Sequence, residues 1–165
     1  MTDNGLMSWA TCAHGHAHWG RRGAAGLLVA DRGTVLLQLR AGWAHQGTTW
    51  SIPGGARERG ESAVEAALRE AREEMSIRSR DVDVRSTYVA TCGGWEYETV
   101  LAVATGPVRL AHLSESLDHV WATPDHVGEL PLHSGFRAAW EAPDGELRSF
   151  VGATGSVEPH SSHQT

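Results

Sequence analysis

Between Gly54 and Ile77 the chain reads GGARERGESAVEAALREAREEMSI, a glycine turn followed by a helix-forming run in which Glu and Arg recur. At 100° per residue, Glu70, Glu73 and Glu74 fall within roughly 100° of one another, on one helical face. Like charges this close repel unless a cation lies between them. Carboxylate oxygens are hard ligands, and a cluster of them suits Mg²⁺ or Mn²⁺. Val64, Ala67, Leu68, Ala71 and Met75 recur at helical spacing as an apolar stripe. That stripe is centred roughly 110° from the acidic group, which predicts a helix with a core side and a separate acidic side. A Glu/Arg run is ordinarily a solvated face with i, i+4 pairs, so the exact spacing has to carry any stronger reading.

The flanking sequence predicts an α/β domain. Ala24 to Ala30 is a small-then-apolar run of the kind found in buried strands, and Asp31-Arg32-Gly33 turns it into a return strand from Thr34 to Arg40. A loop from Ala41 to Thr49 carries Trp43 and His45, and Trp50-Ser51-Ile52 is a short strand stopped by Pro53 and the glycine pair. Val82 to Thr91 and Trp95 to Ala104 form a hairpin around Cys92-Gly93-Gly94, with Trp95 and Tyr97 on one strand face as candidates for stacking a base. A loop with Glu115 and Asp118 precedes a strand at His119-Val120-Trp121. Thr123-Pro124 opens a helical turn, and Ser134 to Glu141 is a second helix. Strand, strand, helix, strands and helix in this order predict a mixed β-sheet between helices.

The same reading divides the chain into an irregular N-terminal arm over residues 1–19, a domain over 20–151 and a disordered tail over 152–165. The arm holds Cys12, His14, His16 and His18. These are metal-ligand types, but no distant CxxC or HxxxH completes a zinc pattern, so packing and metal binding both stay open. A net charge of −6 argues against a nucleic-acid-backbone binder. Two cysteines make no disulfide framework. No apolar run approaches a membrane span and no basic-then-apolar leader opens the sequence, so a cytoplasmic protein away from membranes is expected.

Residue by residue, the central stretch resembles the Nudix box, G-x5-E-x7-R-E-U-x-E-E-x-G-U with U apolar. Gly55, Glu61, Arg69, Glu70, Ala71, Glu73, Glu74 and Ile77 meet it at the right spacing, and Ser76 stands where the family has Gly. Looser similarity in the Gly23–Ala30 strand, the Trp50–Gly55 approach and a loop Glu before Trp121 extends the resemblance over roughly residues 20 to 142. It implies a Nudix-type α/β/α sandwich and Mg²⁺-dependent attack of water on a nucleoside diphosphate linked to another moiety. It also implies Glu70, Glu73, Glu74 and the Gly54 carbonyl as metal ligands, with Glu115, or failing that Asp118, as a further acidic ligand from a loop. Many relatives pair, which leaves room for a homodimer.

Helical geometry adds to the resemblance. In a regular helix Glu61 points away from Glu70, which suits it to the helix N-terminus or to an arginine partner. Arg69 reaches Glu73 at i+4 and is placed to support that carboxylate. Ser76 is expected to pay on the order of 1 kcal/mol for a left-handed helix end. Trp43, His45, Trp95 and Tyr97 are the candidate substrate contacts. The ADP-ribose subset's proline is replaced by Gly93, and the array of the NADH type is absent. A nucleoside triphosphate, oxidised or not, is the favoured substrate, with ADP-ribose, a nucleotide sugar or a non-catalytic nucleotide sensor as alternatives.

Overall fold

The computed structural model describes residues 9–41, 47–111 and 116–155. Trp43, His45 and Glu115 lie outside these residues, as does 156–165. The first element is a hairpin of β1 (Trp9–Thr11) and β2 (Ala17–Trp19), with Trp9 and Trp19 in edge contact at 5.5 Å. The predicted arm is therefore a two-stranded sheet of its own. Strands β3 (Ala24–Asp31), β4 (Thr34–Arg40), β5 (Trp50–Ser51), β6 (Gly54–Ala56), β7 (Val82–Cys92), β8 (Trp95–Ala104) and β9 (Ser116–Ala122) make the main sheet.

In that sheet β3 runs parallel to β8, from Ala24 opposite Tyr97 to Ala30 opposite Val103, while the other pairings are antiparallel. The β3–β4 turn has positive φ at both Arg32 and Gly33, the geometry whose twist matches a two-residue hairpin. The two strands pair only next to this turn and then diverge, and β6 pairs with the start of β3. The glycine segment is thus brought into the sheet as a short strand.

The two faces of the sheet are covered by different helices. Leu28, Val35, Leu37, Leu101 and Ala122 pack under α2 (Pro124–Val127), α3 (Ser134–Trp140) and α4 (Glu146–Ala153) through Val127, Phe136, Trp140, Leu147 and Val151. Leu27, Val29, Leu36 and Val100 pack under α1 (Ala63–Met75). Fully buried leucines such as Leu27 and Leu28 each contribute about 2 kcal/mol of transfer free energy. The result is the α/β/α sandwich that the sequence predicts. Among the described residues no helix is long and apolar enough to cross a membrane.

Two features depart from the sequence reading. Helix α4 was not anticipated, although Leu147 and Val151 sit one helical turn apart and both are fully buried. The expected tail from Gly152 begins inside that helix, and Thr154 Oγ1 accepts the Gly33 N–H at 2.9 Å, so the folded chain runs at least to Gly155.

Candidate active site

Helix α1 begins where Ser62 caps it, its Oγ accepting the Glu65 N–H at 3.1 Å. Its buried face is formed by Ala63, Ala66, Ala67, Glu70, Ala71, Glu74 and Met75. This corrects the predicted division of the helix: the buried stripe is rotated by roughly 60° from Val64 and Leu68 toward Ala63 and Ala66. Alanine side chains let the helix approach the small residues of β3 closely. The same rotation carries Glu70 and Glu74 onto the sheet-facing side, where they are 8% and 5% exposed. The sequence signal was there in the alanines, which hydrophobicity weighting passes over.

The glycine strand makes room for these carboxylates. A Cβ on Gly55 would lie 2.6 Å from Glu70 Oε1, and a Cβ on Gly54 would lie 2.6 Å from the Tyr97 hydroxyl. The Gly54 N–H donates to Glu74 Oε2 at 2.8 Å. Gly54 thus meets the acidic cluster through its N–H.

Arg69 is the hub. Its Nε and Nη2 grip both oxygens of Glu61 at 2.7 and 3.0 Å, a bidentate pair. Nη1 reaches Glu70 Oε1 at 2.9 Å and Glu73 Oε2 at 3.3 Å, and Nη2 also donates to the Ala56 carbonyl at 3.1 Å. One guanidinium therefore ties the glycine strand, the loop before α1 and the acidic face of α1 together. Hydrogen bonding to Glu61, and then the charges of Glu70 and Glu61, hold Arg69 protonated even more firmly than usual, against the effect of its burial. In return the bonds from Arg69 hold the Glu61 carboxyl below its ordinary value. The sequence expectation that Glu61 pairs with an arginine is met, although Glu61 precedes the helix.

Tyr97 rises from β8 into the space left by Gly26 and Gly54. Burial, and then the negative charge of Glu74, push its hydroxyl above the usual phenol range; Arg40 opposes this and Glu70 adds to it. The residue predicted to stack a base thus presents its hydroxyl to the carboxylate group. Trp95 is engaged by the N-terminal hairpin: its Nε1 donates to the Gly20 carbonyl at 2.7 Å, and its ring stacks on His18 at 4.2 Å. Asp118, on β9, accepts its neighbour His119's N–H at 2.8 Å. A groove of about 440 Å³ lined by Arg22, Arg57, Glu61 and Glu65 opens beside the start of α1, apart from Glu70, Glu73 and Glu74.

At the end of α1, Ser76 takes the left-handed conformation (φ 61°, ψ 23°), as expected for the position of the family glycine. Its N–H still bonds back to Arg72 at 3.0 Å, and Ile77 continues into the core.

Comparison with known proteins matches this architecture. The NUDIX domain model matches residues 20–142. A Mycobacterium tuberculosis protein provisionally named 8-oxo-dGTP diphosphatase 3 is 44% identical, over 81% of this chain and 66% of its own length. A Bifidobacterium longum nucleoside triphosphate pyrophosphatase/Nudix hydrolase fusion protein is 38% identical, over 80% of this chain but 30% of its own length. The matched region therefore spans less than two thirds of either curated relative. Among solved structures, a Nudix hydrolase from M. smegmatis superposes with a TM-score of 0.76 at 39% identity, covering 92% of this chain and 97% of that one. With the box residues gathered around one arginine on a matching fold, the chain belongs to the Nudix hydrolase family.

Proposed function

We propose that the chain hydrolyses a pyrophosphate bond of a nucleoside triphosphate, using Mg²⁺ or Mn²⁺ held by Glu70, Glu73, Glu74 and the Gly54 carbonyl. The observation that carries this reading is the gathering of four carboxylates between Arg69 and the glycine strand. A single guanidinium contacts Glu61, Glu70 and Glu73, and Glu74 adds a fourth carboxylate beside Gly54. Two of these carboxylates, Glu70 and Glu74, are buried. Clustered carboxylate oxygens fit a hard divalent ion, and the missing Cβ of Gly55 leaves the Glu70 carboxylate the room it occupies. Nudix enzymes generally work with such ions.

When bound, the ion neutralises phosphate oxygens and acidifies a coordinated water. The protein's own part is positional. Arg69 fixes Glu70 and Glu73 on one edge of the site, and the Gly54 N–H fixes Glu74 on the other. A carboxylate of this set accepts the proton of the attacking water as the phosphorus–oxygen bond breaks. The nucleoside triphosphate assignment draws on the names of the relatives, which include an E. coli CTP pyrophosphohydrolase at 28% identity.

The test is product release from a panel of dNTPs, oxidised dGTP, ADP-ribose, nucleotide sugars and dinucleoside polyphosphates, with Mg²⁺ and with chelator. Turnover of triphosphates that stops with chelator is expected. Tight nucleotide binding without product would replace the enzyme with a sensor.

A further inference from the structure

The N-terminal hairpin and the β7–β8 turn meet in a group of side chains that the phosphate chemistry does not use. Cys12 Sγ lies 3.2 Å from Cys92 Sγ, and His16 Nδ1 lies 3.2 Å from the same Cys92 sulfur. His18 completes the group: the ligand atoms of Cys12, His16, His18 and Cys92 all lie within 4.8 Å of one another. Both cysteines are free thiols. The Nε2 atom of His18 is buried and has no hydrogen-bond partner, while its ring is held flat against Trp95. A buried ring nitrogen with nothing to bind, beside two thiols and a second imidazole, is an incomplete polar network.

The backbone is arranged to hold these four residues together. Cys12 and His16 are closed into a tight loop by the Cys12 N–H to His16 O bond and the Gly15 N–H to Cys12 O bond, both 2.9 Å. The Ala13 N–H then donates to the Gly93 carbonyl at 2.9 Å, docking this loop on the opposite turn. Only glycine fits at 93, since its φ is +52° and a Cβ would lie 2.5 Å from the Ala13 nitrogen. That close approach is what sets Cys92 beside Cys12.

We propose that Cys12, His16, His18 and Cys92 form a structural Zn²⁺ site that fastens the N-terminal hairpin to the β7–β8 turn. Two thiolates and two imidazoles are a tetrahedral zinc donor set of the closed, structural kind. Typical zinc–sulfur and zinc–nitrogen bonds place such ligand atoms about 3.3–3.8 Å apart, close to the spacing found here. On binding, the two thiols release their protons to solvent, and the two thiolates then balance the charge of the ion. Soft sulfur donors separate this site from the carboxylates of α1, which suit Mg²⁺ or Mn²⁺. A two-stranded sheet of three-residue strands is marginal by itself, so a metal clip supplies what its small apolar area does not.

Elemental analysis of the full chain, purified under reducing conditions, should find about one Zn²⁺ per chain. Cys12→Ser/Cys92→Ser should lower that content about tenfold or more, and Glu73→Gln/Glu74→Gln should leave it unchanged. Because the cysteine variant can fail for reasons of folding, Co²⁺ is added to the metal-stripped wild-type chain as a second measurement. Thiolate-to-cobalt charge-transfer bands and strong tetrahedral visible absorption, both bleached by equimolar Zn²⁺, are expected. A reduced chain that binds Co²⁺ without charge-transfer bands overturns the site. So does zinc that is lost in the glutamate variant and kept in the cysteine one.

Discussion

Around α1, Arg69 and its partners Glu61, Glu70 and Glu73 reach one another within one loop and one helix, whereas the cysteine–histidine group joins residues 76 and 80 positions apart. Both groups gather several ligand-type side chains. The first uses hard oxygens and one guanidinium; the second uses sulfur and imidazole. The helical part of the first is recognisable from spacing because a helix converts sequence distance directly into direction. The second depends on how a β-hairpin registers and on which turn another hairpin docks against, and neither is periodic in the sequence.

The strongest way to break this contrast is to show that the carboxylates are dispensable. Glu74→Gln keeps an oxygen to accept the Gly54 N–H but removes the charge, and should lower kcat on the order of 10²–10⁴-fold. Wild-type turnover in that variant would remove Glu74 from the chemistry. Next comes Arg69→Ala, which removes the bidentate partner of Glu61 and a charged partner of Glu70 in a largely buried setting. It should cost about 3 kcal/mol in urea denaturation and 10–100-fold in kcat. Arg69→Lys should recover only part of either loss, since a lysine cannot grip Glu61 bidentately.

Acid sharpens the same hub. The folded Glu61 carboxyl titrates below its ordinary value of 4.5, so its stabilisation is complete above that value and is lost as pH falls through the lower folded one. The urea midpoints of wild type and Glu61→Gln should therefore differ at about pH 6, and the gap should shrink as pH falls below 4.5 through the lower folded value. A gap that persists in acid would mean that packing, not charge, holds the loop. The smallest effect is at the helix end. Ser76→Gly relieves a left-handed serine and should stabilise by about 1 kcal/mol, seen as a rise of a few degrees in Tm with kcat unchanged.

The reach of the sequence follows the same division. The box positions, the pairing of Arg69 with Glu73, the left-handed residue 76 and the sandwich of helices about a mixed sheet were all legible, because each rests on local spacing or on hydrophobic alternation. The burial of Glu70 and Glu74 was not, because it depends on alanines whose value lies in how closely they let β3 approach. Tyr97 lies on the strand face assigned to it, but its approach to the glycine strand was not legible. Its hydroxyl meets Gly26 and Gly54 only through the β3–β8 register. Helix α4 was missed because it follows a Pro-Asp-Gly turn, although Leu147 and Val151 are spaced for it.

The parallel pairing of β3 with β8 also bears on how the protein reaches its native state. Those strands are adjacent in space but separated in sequence by β4, β5, β6, α1 and β7. Closing so large a loop before any contact rewards it makes this the slow, entropically costly event of folding. Helix α1 and the β7–β8 hairpin are local and form early by comparison. Glu74 and Gly54 can therefore find each other before the chain commits, but the Tyr97 floor beneath them arrives only with the parallel pair. Substitutions along β3 and β8 should slow refolding, whereas those confined to the acidic cluster should act mainly on the unfolding rate.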